Sequence, residues 1–95
     1  MSDVVLRPPL LMRRDEVISI KRAAGHAMCS PDTVRRWYHD DGIGRQAGPN
    51  APVQISIVAL EMRMCGDWTA LDAYLAGDRA NPLVTRYFDH LGLPL

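Results

Sequence analysis

Apolar residues recur at helical spacing from Ile20 onward: Ile20, Ala23, Ala24, Ala27 and Met28 share one face, and Lys21, Arg22 and Gly25 take the other. Ser19 stands just before this run. Its side-chain oxygen can accept from the free amides of a first turn, so a short amphipathic helix is predicted to start behind it. A second start follows at Ser30-Pro31-Asp32-Thr33: Ser30 as cap, Pro31 at the first helical position, and Asp32 at the positive end of the helix dipole. The stripe Val34, Trp37 and Tyr38 should face inward. Asp32, Arg35, Arg36 and His39 should face outward, and Gly42 should end the helix.

Between Gly42 and Ser56 the period changes. Gly44, Gly48, Pro49, Asn50 and Pro52 flank short segments at Ile43 to Gln46 and Val53 to Ile55, which reads as a small β-hairpin or a hairpin-like loop. Three more helices follow. Ser56 caps a stripe of Ile57, Leu60 and Met64 ending at Gly66; Asp67 caps Trp68, Leu71 and Leu75 ending at Gly77; Asn81 and Pro82 open a helix with Leu83, Tyr87 and Leu91 inward and Gly92 as its stop. Residues 1–11, with Pro8 and Pro9 and no clear period, read as a flexible arm or an extended lead-in.

A chain of 95 residues makes one domain, 1–95, with a modest core and little room for an enclosed catalytic cavity. The longest apolar stretch, Ile55 to Leu60, is far too short to span a bilayer, and no secretory leader is recognisable. No membrane association and a cytoplasmic location are expected. Cys29 and Cys65 form neither a disulfide framework nor a C-x-x-C pair, so reduced thiols are expected.

Reactive chemistry finds little support. Cys29, Cys65, His26, His39 and His90 share no recognised metal-ligand spacing, and no nucleophile, base and orienter stand out. No cofactor, no metal and no catalytic residue is expected. Asp40-Asp41 and Asp15-Glu16 point in different directions as adjacent residues, and read as caps or solvated helix ends. The aromatic residues Trp37, Tyr38, Trp68, Tyr74, Tyr87 and Phe88 sit among aliphatic neighbours at helical spacing and read as core or subunit-contact residues.

What remains is two short helices joined by about three residues, the second with outward arginines near its start. That is the geometry by which a helix enters the major groove of DNA. Arg35 and Arg36 can each hold guanine bidentately or clamp a phosphate, Thr33 suits a phosphate oxygen, and His39 can reach backbone or base. The formal net charge of zero opposes this reading, because affinity for DNA comes largely from cations displacing counterions. The distribution helps in part: residues 1–60 carry Arg7, Arg13, Arg14, Lys21, Arg22, Arg35, Arg36 and Arg45 against six acids, and the remainder is net acidic.

The run Ala23-Ala24, then Cys29-Ser30-Pro31-Asp32-Thr33-Val34-Arg35-Arg36-Trp37, resembles the helix-turn-helix of MerR-like winged-helix domains, especially excisionases of phages and mobile elements, over residues 17–60. The resemblance implies a mainly α winged helix-turn-helix with a β-hairpin wing; the helical extension over 67–92 lies outside the minimal family domain and is expected to pack against the core or mediate self-association. The resemblance also implies that Ser30, Thr33, Arg35 and Arg36 contact double-stranded DNA, that Trp37 belongs to the core, and that Arg45 lies on the wing. Two features depart from that pattern. Met28 stands where the family has a turn glycine, which means either an avoided positive φ or strain of about 1 kcal/mol. The wing, usually basic, offers only Arg45, with Gln46, Asn50 and Gln54 as uncharged donors.

The expected function is sequence-specific DNA binding and bending, as an accessory factor acting with a recombinase in excision of a prophage or integrative element. Self-association or cooperative binding of several copies would multiply weak single-site affinities. A small transcriptional regulator or a phage DNA-packaging subunit with the same fold are the near alternatives. A protein-protein interaction module is the rival of a different class.

Overall fold

A computed structural model describes residues 9–95. Among these residues the chain is mainly helical, with five α-helices and one three-stranded antiparallel sheet. After a 3-10 turn at Arg14–Glu16 come β1 (Val17–Ile18), α1 (Ile20–Ala27), α2 (Pro31–Asp41), β2 (Gly44–Gln46), β3 (Val53–Ser56), α3 (Ile57–Met64), α4 (Trp68–Leu75) and α5 (Pro82–Leu91).

The helix starts follow their capping residues. The side chains of Ser19, Ser30, Ser56, Asp67 and Asn81 accept from the amides of Arg22, Thr33, Ala59, Ala70 and Leu83 respectively, each satisfying a donor left free by the helix geometry. Asp67 also accepts from the Tyr87 hydroxyl at 2.7 Å, and the Ala70 amide and this bond together hold its carboxyl below the usual range. Gly42 and Gly92 end α2 and α5 in the left-handed conformation.

The hairpin forms as expected, with Arg45 opposite Gln54 and Gln46 opposite Val53. A further strand joins it. β1 pairs with the outer side of β3, Val17 opposite Ser56 and Ile18 opposite Ile55, giving the order β1-β3-β2. Gly44 is required here by space alone: a Cβ on it would lie 2.4 Å from the carbonyl oxygen of Gln54, closer than any side chain is accommodated.

The core lies between the sheet and the helices, with Val34, Ile43, Ile55, Val58, Leu60, Met62, Leu71, Tyr74, Val84 and Phe88 essentially closed to solvent. Several expected inward positions are corrected. In α3, Met62 is buried and Met64 is exposed; in α4, Ala70, Leu71 and Tyr74 are buried, while Trp68 is 48% exposed; in α5, Val84 takes the place assigned to Leu83. Met28, expected on the apolar face of α1, is 91% exposed and ends that helix in the left-handed conformation at φ 54°.

Of the segment read as a flexible arm or an extended lead-in, residues 9–11 are described. Leu10 is buried in the core, and the carbonyls of Leu10 and Leu11 accept from Arg45 and Arg79. Residues 1–8 lie outside the described residues.

Glu16, read as a cap or a solvated helix end, does cap the 3-10 turn by accepting from the Arg13 amide, but it is wholly buried and not solvated. Arg79 donates to both its oxygens, at 3.0 and 2.9 Å, Tyr74 donates at 2.7 Å, and the Arg13 amide donates at 3.1 Å. The Tyr74 proton is thereby used, so the Ser56 hydroxyl, 2.7 Å away, must donate to the Tyr74 oxygen while accepting from Ala59. Among the described residues no buried side-chain N or O atom lacks a partner.

Candidate nucleic-acid interface

The three residues Met28, Cys29 and Ser30 turn the chain from α1 into α2. Helix α2 has its main packing contact with α1. Val34 is the fully buried residue of α2, with Trp37 and Tyr38 half-buried beside it. One stripe of the helix is therefore fixed, and the opposite face is open to solvent.

Five of the six candidate residues lie on this helix or its cap. Ser30 and Thr33 are largely committed to each other: the Ser30 hydroxyl accepts from the Thr33 amide at 3.2 Å and lies 3.0 Å from the Thr33 hydroxyl. Pro31 has no N–H, so the first turn offers an anion fewer amides than an ordinary helix start. Arg35, Arg36 and His39 are exposed. Arg35 pairs with Asp32 one turn earlier at 3.2 Å, and because both are largely exposed the pair is worth only about 0.5 kcal/mol. A ligand oxygen can replace it cheaply. Arg36 has no ion-pair partner among the described residues. The His39 ring leans on Tyr38, centroids 5.0 Å apart.

Arg45 stands apart, on β2. Its Nε donates to Gln54 Oε1 across the hairpin at 2.8 Å, and Nη1 reaches the Leu10 carbonyl at 3.5 Å. The hairpin's one cation is thus half-buried and already engaged, and it would have to exchange these bonds to meet a phosphate.

A cluster at the far end of α2 had no signal in the sequence. Arg63 of α3 donates its Nε to Asp41 at 2.8 Å, and its guanidinium carbon lies 4.7 Å from the Trp37 ring centroid and 5.0 Å from that of Trp68. These residues come from three helices, and only their tertiary packing brings them together. The same holds for His26 and Glu61, 2.8 Å apart between α1 and α3.

Elsewhere, an open groove of about 310 Å³ between α3 and α5 is lined by Glu61, Cys65, Arg86, Tyr87 and His90. Its charges are mixed, and the Tyr87 hydroxyl is spent on Asp67. Burial and that carboxylate push the Tyr87 phenol above its usual range. Among the described residues no three His, Cys, Asp or Glu side chains are grouped to hold a metal ion, and no helix is long and apolar enough to cross a membrane.

Comparison of the chain with family models, with curated proteins and with solved structures gives no match, so its own geometry carries the functional argument.

Proposed function

We propose that the chain is a winged helix-turn-helix protein that binds double-stranded DNA, with α2 as the recognition helix in the major groove and the β2–β3 hairpin as its wing. The observation that carries this reading is the exposure of Arg35 and Arg36, successive residues on the solvent side of a helix anchored through Val34. Arg36 reaches a base edge or phosphate without breaking an ion pair, and Arg35 gives up only a weak one.

Within that reading we favour an accessory factor of the excisionase type, acting by binding and bending DNA beside a recombinase. With zero net charge and Arg45 engaged, one copy makes few phosphate contacts, so cooperative occupation of repeated sites supplies the affinity. A protein-interaction module is the second reading, and it draws on the exposure of Trp68 and Met64 close to one another in sequence.

The test is a fluorescence-anisotropy titration of a labelled random-sequence duplex against rising salt. Binding at low salt that weakens steeply as salt rises is expected, because counterion release drives it. No binding at low salt overturns the DNA reading in favour of the interaction module.

A further inference from the structure

Asp41 ends α2 at the negative pole of the helix dipole, where a carboxylate is disfavoured, yet it is only 17% exposed. The group that compensates it is the Arg63 guanidinium, itself in the last turn of α3, where a cation is favoured. The same guanidinium lies over the indole of Trp37 in α2 and that of Trp68, the first residue of α4. One side chain therefore links α2, α3 and α4, at the end of α2 opposite its capped start.

Trp37 directly follows Arg36 in the helix, and successive residues are set about 100° apart. Whatever fixes the azimuth of the Trp37 ring also fixes the direction in which Arg36 leaves the helix. A planar, weakly hydrated guanidinium can stack on an indole and bond a carboxylate together; an ammonium makes only a point contact.

We propose that Arg63 is a positioning residue for DNA recognition: by bonding Asp41 and stacking on Trp37 and Trp68, it sets the tilt and rotation of α2 and so the aim of Arg35 and Arg36. This inference rests on the DNA reading above. Arg63 does not itself touch DNA in this account. It is 28% exposed and already engaged by three partners.

The experiment uses a duplex selected by the wild-type protein from a randomised pool, and a scrambled duplex of the same composition. Arg63→Met, Arg63→Lys and Asp41→Asn are compared with wild type for affinity to both duplexes and for salt dependence, with folding checked by circular dichroism. Affinity for the selected duplex should fall about tenfold in both Arg63 variants, the size of one badly seated base contact. Asp41→Asn should shift it the same way by less. Affinity for the scrambled duplex and the salt slope should stay unchanged.

A purely structural role lowers thermal stability and leaves the selected-to-scrambled ratio alone, which overturns the proposal. Equal weakening on both duplexes with a shallower salt slope makes Arg63 a phosphate contact and overturns it too. If Arg63→Met does not fold, the ratio in Asp41→Asn decides. Should the wild type enrich no sequence, the DNA reading falls and takes this one with it; enrichment with unchanged ratios removes this inference alone.

Discussion

The carboxylate of Glu16 and the guanidinium of Arg79, 63 positions apart in the chain, meet in a two-point pair, with no part of Glu16 open to solvent. Tyr74 and Ser56 extend the pair into a chain of bonds reaching the start of α3. The segment before β1 is thereby tied to the helical half of the molecule. The third strand of the sheet depends on that tie, since β1 has only two residues to pair.

Replacing Glu16 by Ala should destabilise the fold by about 3 kcal/mol in urea denaturation, because it strands the charge of Arg79 and the hydroxyl of Tyr74. Burial pushes the Glu16 carboxyl up, but the bonds from Arg79, Tyr74 and the Arg13 amide outweigh it, and the net position is below the ordinary value. A lowered folded-state value means that the stabilisation is fully present above about pH 4.3, where an unfolded glutamate titrates, and is lost as pH falls toward the folded value. Wild type and Glu16→Gln should therefore differ most near neutrality and converge in acid. A constant difference across that window contradicts an ionised Glu16.

Two glycines should respond in opposite directions to alanine. A Cβ on Gly25 in α1 meets nothing within 4 Å, so Gly25→Ala should raise stability by about 0.5–1 kcal/mol through helix propensity. On Gly44 the new Cβ would collide with the backbone of β3, and Gly44→Ala should lower the urea midpoint by about 2 kcal/mol equivalent. Equal effects at the two sites would refute the close approach of β2 to β3.

Met28 is the one non-glycine residue with positive φ among those described, and its side chain is 91% exposed. Little packing is lost by removing it. Met28→Gly should therefore stabilise by about 0.5–1 kcal/mol, the relief of left-handed strain less the backbone entropy of glycine. A loss of stability would mean that the thioether makes contacts absent here.

Helix boundaries were legible because capping is local. Ser19, Ser30, Ser56, Asp67 and Asn81 each act within three residues of themselves, so a single sequence carries the signal. The inward faces of α3, α4 and α5 were less legible. These helices are 8 to 10 residues long with apolar residues on several sides, so neighbours decide which side is buried. Helical spacing with Leu71 and Leu75 points Trp68 inward, but at the first position of α4 it leans on Arg63 at the surface.

The open face of α2 is legible, because Arg35, Arg36 and His39 fall away from the stripe of Val34, Trp37 and Tyr38 at helical spacing. Arg45 could be placed on the hairpin but not seen to be engaged by Gln54 and Leu10. Glu16 with Arg79, β1 with β3, and Arg63 with Asp41 are all pairings between distant segments, and no local pattern announces them.

In the proposed function Arg35 and Arg36 are the groups through which α2 meets DNA, and the gel shift of the Arg35→Ala/Arg36→Ala double variant on a duplex selected by the wild-type protein tests this most directly. Both side chains are solvent-exposed, so the melting temperature should be unchanged within about 0.5 kcal/mol equivalent, while the specific shift disappears. A folded double variant that shifts the duplex as well as wild type would contradict it.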